Sequence, residues 1–123
     1  MVRFSLNVFT GSFSDEQDAF SYVSWNYEAD PDNPASEFAR EFGVPHFDDD
    51  FVETIWGSDR LDYLKSLLVN GSDAALVENV CDANDNTLVV VLEIEGNRDI
   101  QFAPAKGNRM RYCGRFPGCF REP

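Results

Sequence analysis

The sequence predicts a small α+β protein in which a mainly antiparallel sheet of three to four strands carries about four helices. Three observations predict this class. Apolar and polar residues alternate at the start of the chain, several later segments repeat apolar residues at helical spacing, and residues 87–94 form a nearly continuous apolar run. The 123 residues, 43% of them hydrophobic, are predicted to form a single domain spanning residues 1–123.

The chain is predicted to open with a strand and then a helix. Val2, Phe4, Leu6 and Val8 alternate with polar residues, so we expect one buried face, and Gly11 is expected to end the strand. A capping box, Ser14-Asp15-Glu16-Gln17, predicts a first helix that runs to about Trp25. The expected buried stripe of this helix consists of Ala19, Phe20, Tyr22 and Val23.

A second, short helix is predicted after a proline-containing loop. Asn33 and Pro34 have the character of an N-cap and a first-turn proline, Phe38 and Phe42 share one face, and Gly43 is placed to end the helix. The segment from Val44 to Trp56 is interpreted as an acidic turn followed by a strand, because its last six residues favour strands.

Two further helices are predicted before the sheet resumes. Ser58 is expected to cap a third helix that ends at Leu68, and a fourth helix is expected from Ser72 to about Asp82. The buried side of the third helix is predicted to carry four leucines, namely Leu61, Leu64, Leu67 and Leu68.

The strongest strand in the sequence is Thr87 to Ile94. Its apolar run predicts a central strand that is covered on both faces. Residues 100–102 are predicted to return as a short strand, and Met110 to Phe116 as an edge strand. The whole segment 104–123 is interpreted as a basic C-terminal edge strand or a tail.

The net charge of −12 is unevenly distributed along the chain. Residues 1–96 carry 20 acidic and four basic side chains, and residues 97–123 carry two acidic and six basic ones. An acidic field repels phosphate backbones, so the charge argues against direct nucleic-acid binding and favours a cationic protein partner. The alternative interpretation is that the acidic surface serves only solubility.

The sequence offers little support for catalysis by nucleophiles or cofactors. His46 is the only histidine, and no nucleophile elbow surrounds any serine or cysteine. The sequence also contains no phosphate loop and no dinucleotide fingerprint. The odd number of cysteines (Cys81, Cys113 and Cys119) argues against a secreted disulfide framework and predicts free thiols. No signal core or transmembrane run is present, so we expect a cytoplasmic protein without membrane partners and without cofactors.

The most distinctive polar cluster is Asp48-Asp49-Asp50 with Glu53. Clustered carboxylates bind Mg²⁺ or Ca²⁺, which would suit a small metal-dependent hydrolase. However, the spacing does not match a Ca²⁺ loop, and consecutive acids on an extended chain point to alternate sides. Two other interpretations are a contact surface for a basic partner and a solvated turn.

Aromatic residues interleave with these acids, as tight binding of a cationic protein would require. The predicted partner-binding residues are Trp25, Tyr27, Asp30, Asp32, Asp48, Asp49, Asp50, Glu53 and Trp56. Phe47 and Phe51 are interpreted as core residues instead.

The order of these features resembles the Immunity protein 22 family. The resemblance covers about residues 3–95 and is carried by the Gly-Ser-Phe-Ser-Asp-Glu-Gln link (residues 11–17), by Ser36 to Val44 and by Phe47-Asp48-Asp49-Asp50-Phe51. Members of this family are proposed bacterial antidotes of polymorphic toxin systems. The resemblance implies a toxin inhibitor without catalytic residues, but it does not identify the toxin. The acidic charge of the chain favours a basic toxin domain such as a nuclease, because domains that bind nucleic acid carry basic surfaces. An acidic regulatory module for another basic protein remains a third interpretation, beside the hydrolase.

Overall fold

A computed structural model describes residues 2–24, 36–42, 52–93 and 109–120, with the exception of the side chains of residues 2, 3 and 120. The elements in chain order are β1 (Val2–Gly11), α1 (Glu16–Val23), α2 (Glu37–Glu41), β2 (Val52–Trp56), α3 (Arg60–Leu67), α4 (Asp73–Val80), β3 (Thr87–Glu93) and β4 (Met110–Phe120). The predicted α+β class is confirmed, with four strands in one antiparallel sheet and four helices.

The sheet has the strand order β2-β3-β1-β4. The two apolar strands β1 and β3 therefore lie side by side in its centre. β3 pairs with both β1 and β2, and all six of its residues from Thr87 to Leu92 are buried. The prediction of a central strand covered on both faces is confirmed. The prediction of an edge strand at 110–116 is also confirmed, and β4 extends it to Phe120.

Helices cover both faces of the sheet and divide the interior into two cores. The α3/α4 core joins Leu64 and Val77 of the helices to one face of the sheet, including Leu6 and Val90. The α1/α2 core joins Tyr22, Phe38 and Phe42 to the other face, including Phe9, Val89 and Val91. Successive residues of a strand point to opposite faces, which is why Val89 and Val90 enter different cores.

The prediction that β1 buries only one face is wrong. Leu6 and Val8 lie in the α3/α4 core as expected, but Asn7 and Phe9, on the opposite face, are equally buried. Asn7 is accommodated there because its side-chain amide donates to Glu93 and accepts from the hydroxyl of Tyr112. A polar residue in an alternating pattern therefore need not face solvent when its hydrogen bonds are satisfied.

Helix boundaries differ by a few residues from those expected. The N-cap of α1 is Asp15 rather than Ser14, and Asp15 accepts a hydrogen bond from the backbone N–H of Asp18 at 2.7 Å. Asp59, not Ser58, precedes α3, and no side chain caps that helix. The prediction that Asn33 caps the second helix is wrong, because α2 begins at Glu37 and Ser36 caps it by accepting a hydrogen bond from the N–H of Ala39. The predicted stop at Gly43, the turn at 48–50 and the strand at 100–102 lie outside the described residues.

Most of the predicted helix faces are confirmed. Phe38 and Phe42 are both fully buried, as are Leu64 and Leu68, while Leu61 is partly buried against the same core. Phe20 is the exception, because 44% of its surface is exposed although it was expected on the buried stripe of α1. Successive side chains of an α-helix are rotated by 100° about its axis, so the side chain of Phe20 points to a different side of α1 from those of Tyr22 and Val23.

Gly118 marks a close approach between β4 and the α3/α4 core. A Cβ atom at this position would lie 2.8 Å from side-chain atoms of Leu6 and Phe4 and 2.9 Å from the carbonyl oxygen of Leu67. We expect Gly118→Ala to lower the free energy of unfolding by about 1–3 kcal/mol, because the packed backbone has to move. Urea denaturation would measure this change.

Gly71 supplies the matched control, because nothing lies within 4 Å of a Cβ atom at that position. Gly71→Ala should leave the free energy of unfolding nearly unchanged. Equal effects of the two substitutions would contradict the steric explanation.

Candidate partner-binding surface

Two of the nine predicted partner-binding residues lie within the described part of the chain. Glu53 and Trp56 are both in β2, one of the two edge strands. The other seven lie outside the described residues, as does His46; they are Trp25, Tyr27, Asp30, Asp32, Asp48, Asp49 and Asp50.

Glu53 is half-buried on the face of β2 that looks toward α3. Its carboxylate accepts a hydrogen bond from the hydroxyl of Tyr63, and this bond is the main reason why the pKa of Tyr63 is raised. Glu53 pairs with Val90, a residue of the α3/α4 core, which fixes the face that Glu53 occupies. The carboxylate is thus held in place at the edge of the sheet.

Trp56 lies on the opposite face of the same strand. Its half-buried side chain packs against the α1/α2 core, and the residue that follows, Gly57, has a φ of 110°. Glu53 and Trp56 are three positions apart, and an odd separation in a strand directs two side chains to opposite faces. The structure therefore does not bring this acid and this aromatic residue together on one surface.

A groove runs along β2 that the sequence did not predict. Its volume is 310 Å³, and it lies between the strand and the second half of α1. The lining residues are Phe20, Val23, Ser24, Val52, Glu53 and Thr54. The exposed ring of Phe20 gives one wall an aromatic surface. A helical wheel of α1 places Phe20 away from the buried stripe, so this exposed ring could have been predicted from the sequence.

Three arginines near the C-terminus form ion pairs within the molecule. Arg109 directly precedes β4, and Arg111 and Arg115 belong to it. Arg109 forms ion pairs with Asp18 at 2.6 Å and with Glu37 at 3.6 Å, and its guanidinium lies 4.4 Å from the centre of the Phe13 ring. The hydrogen bond from Arg109 lowers the pKa of Asp18. Arg109 thereby ties the start of β4 to both α1 and α2.

Arg111 makes the most buried of these ion pairs. It contacts the carboxylate of Asp85, whose side chain is only 3% exposed, and Asp82 at 3.3 Å. Asp85 also accepts hydrogen bonds from the Thr10 hydroxyl at 2.9 Å and from the backbone N–H of Asp82 at 3.0 Å. This network joins β1, β4 and the turn before β3, so it has a structural role.

Arg115 completes the set, because it pairs with Glu93 at 2.8 Å. Each arginine between positions 109 and 120 is therefore paired with a carboxylate from the acidic part of the chain. The segregation of charge along the sequence is compensated locally, where β4 meets the rest of the fold.

Other carboxylates are left facing solvent on the α3/α4 layer. Within the described ranges, no ion pair of 4.0 Å or less is formed by Asp59, Asp62, Asp73 or Glu78. Asp62 and Glu78 line a second groove of 430 Å³ between α3 and α4, which Lys65 also lines. This layer presents the largest group of unpaired acids among the residues that the structure describes.

The cysteines are free thiols, as predicted, in the described part of the chain. Burial, and to a lesser extent the nearby Cys81, raises the pKa of the Cys113 thiol to about 12. Cys81 lies 3.2 Å from the Thr10 hydroxyl. A thiol with such a pKa is protonated at neutral pH and is a poor nucleophile.

The described residues include carboxylates and thiols, which are side chains of the kind that bind metal ions. Those residues contain no group of three or more His, Cys, Asp or Glu side chains placed to hold a metal ion. The predicted cluster at Asp48-Asp49-Asp50 lies outside them, so the metal-site interpretation stays a prediction. None of the described helices has the length and apolar character needed to cross a membrane.

Comparisons with known proteins do not assign the chain to a family. No protein-family model matches it, and neither a curated protein nor a solved structure matches it. The resemblance to the Immunity protein 22 family therefore stays a prediction. The structural evidence on function consists of the fold and its surfaces.

Proposed function

We propose that this protein is a cytoplasmic immunity protein that binds and neutralises a cognate, basic toxin domain, such as a nuclease, of a bacterial polymorphic toxin system. In this proposal the protein acts by binding alone and uses no catalytic residue and no cofactor. The family resemblance of residues 3–95 suggests the biological role, and the charge distribution suggests the kind of partner.

The observation that carries the proposal is the division of the acidic side chains into two groups. One group neutralises the C-terminal arginines, as the Asp85–Arg111 and Glu93–Arg115 pairs illustrate. The other group, exemplified by Asp62 and Glu78, has no ion-pair partner among the described residues. Because Arg109, Arg111 and Arg115 are already engaged, these three arginines do not mask the unpaired acids of the described residues. The chain as a whole carries a net charge of −12.

An acidic surface of this kind suits a nucleic-acid-binding partner. Domains that bind nucleic acid carry basic patches that grip phosphates. An acidic inhibitor meets such a patch rapidly, because opposite fields steer the encounter, and it then blocks access of the nucleic acid. Neither step requires the inhibitor to copy the substrate in detail.

The sequence-predicted residues take defined parts in this proposal. Steering and rim contacts are assigned to Asp30, Asp32, Asp48, Asp49, Asp50 and Glu53. Buried anchors are assigned to Trp25, Tyr27 and Trp56. Truncation of an anchor to Ala is expected to cost about 2 kcal/mol or more of binding free energy, whereas charge reversal at the rim should mainly slow association and weaken its salt dependence.

Co-expression with the product of the adjacent gene tests the proposal, since antidotes are usually encoded beside their toxins. The tagged protein should capture that product in a stoichiometric complex, and the product expressed alone should be toxic to the cell. The association rate should fall steeply as the salt concentration rises.

Two results would count against the proposal. If a folded, expressed neighbour gives no complex and shows no toxicity, the antidote role fails. If a complex forms but its association rate does not change with salt, the electrostatic part fails while the antidote role stands. A basic partner that is harmless alone would instead favour the acidic regulatory module.

A further inference from the structure

The two edge strands of the sheet, β2 and β4, differ in how far other described residues cover their outer backbone N–H and C=O groups. Along β4, Leu68 forms a bridge with Gly118, and the N–H of Val69 donates to the carbonyl of Pro117 at 3.1 Å. Pro117 itself has no N–H to offer a neighbouring strand. The end of α3 and a proline therefore block this stretch of the β4 edge against further pairing.

The β2 edge has no comparable cover within the described residues. Val52–Trp56 pairs with β3 on one side only, and neither a proline nor a bridge protects the other side. A strand edge with unpaired N–H and C=O groups is a ready site for an added strand. The groove of 310 Å³ lies beside this edge, so there is space for an extended chain.

The walls of the groove indicate what kind of chain would fit. Phe20 offers an exposed aromatic ring, and Val23 and Val52 add apolar surface below it. On the opposite face of the strand, Glu53 adds a negative charge at the same edge, and Tyr63 holds it in position from the α3 side. No ion pair of 4.0 Å or less involves Glu53 in the described residues, so its charge is available to a cation.

We propose that the partner protein adds an extended, basic segment to the outer edge of β2. Its backbone would pair with the strand, a Lys or Arg side chain would meet Glu53, and an apolar side chain would cover Phe20. Strand addition supplies affinity through main-chain hydrogen bonds and specificity through pockets for alternate side chains. This inference rests on the proposed function and specifies how its partner binds.

Hydrogen exchange on the unmodified protein is the first test, with the adjacent gene's product as the probe. In an edge strand, the N–H groups that do not pair with the neighbouring strand exchange quickly. We expect those amides of Val52–Trp56 that face away from β3 to become protected when the complex forms, while the amides of the exposed face of α4 should change little. This measurement does not depend on any variant being able to fold.

Substitutions then distinguish a direct contact of the partner at the β2 edge from a general effect of the protein's net charge. Glu53→Arg should weaken binding by about tenfold or more, and Phe20→Asp should act in the same direction. Glu16→Arg is the matched control, because it makes the same change in net charge at an exposed position, at the start of α1, that does not line this groove. The control should change the affinity by less than about threefold. Tyr63→Phe, which only frees the Glu53 carboxylate, should have an effect smaller than that of Glu53→Arg.

The outcomes distinguish this inference from the proposed function. If a stoichiometric complex forms but the β2 amides stay unprotected and Glu53→Arg behaves like Glu16→Arg, strand addition is wrong and the antidote role stands. If no complex forms with a folded neighbour, the proposed function fails and this inference fails with it. If the protein alone sediments as a dimer with its β2 amides already protected, a second copy occupies the edge and the inference is overturned.

Discussion

Arg111→Met is expected to lower the free energy of unfolding by about 3 kcal/mol, because it leaves the buried carboxylate of Asp85 without its cation. The Asp85 side chain is 3% exposed, so water does not replace the lost partner from its side. The expected value is at the lower end of the range for buried pairs, since a quarter of the Arg111 side chain reaches solvent. Urea denaturation followed by circular dichroism would measure the change.

A double-mutant cycle would show whether the effect belongs to the ion pair. Asp85→Asn keeps an acceptor for the Thr10 hydroxyl but removes the buried charge. Arg111→Met should therefore cost much less in the Asp85→Asn background than in the original protein. Lys65→Met, at an exposed position, should change the free energy of unfolding by no more than about 0.5 kcal/mol. Purely additive effects of Arg111→Met and Asp85→Asn would contradict this explanation.

Phe9→Ala is expected to be the most damaging single truncation in the α1/α2 core, at about 3–5 kcal/mol. The Phe9 ring is fully buried, and its centre lies 4.8 Å from those of both Phe38 and Phe42 and 5.0 Å from that of Tyr112. Its removal would leave a cavity between β1, β4 and α2, and would also remove the ring contacts with Phe38, Phe42 and Tyr112. The measurement is again equilibrium unfolding in urea.

Phe20→Ala provides the matched control for the same chemical change. Phe20 belongs to α1 but has an exposed surface of 44%, so its truncation should cost far less than that of Phe9. Comparable losses for the two variants would show that Phe20 is buried in solution. Such a result would also remove an apolar wall from the groove beside β2.

Much of the secondary structure followed from local patterns in the sequence. Thr87–Glu93 was recognisable as a central strand because its side chains are apolar on both faces, and Phe38 with Phe42 was recognisable as a helix face from their spacing. The alternation of Phe4, Leu6 and Val8 correctly predicted one buried face of β1. Patterns of this kind are local consequences of a period of two or 3.6 residues, so they need no knowledge of the fold.

The candidate site was predictable only in part. The acidity of residues 1–96 and the presence of Glu53 near the start of a strand were visible in the sequence. The groove beside β2 was not, because its walls come from α1 and β2, which are far apart in the chain. The opposite orientations of Glu53 and Trp56 became clear only once β2 was placed at the edge of the sheet.

By itself, the sequence determined the class of the fold, the central strands and the excess of negative charge. Only the tertiary structure decided which faces are covered and which charges are free. A register shift of β4 between Val8 and Phe9 of β1 sends Tyr112 and Phe116 to opposite cores, although their spacing alone would place them on one face. Likewise, the three basic residues of the described C-terminal part are neutralised because strand pairing brings Arg109, Arg111 and Arg115 to distant carboxylates. Both results depend on contacts between residues far apart in the chain, which local periodicity does not encode.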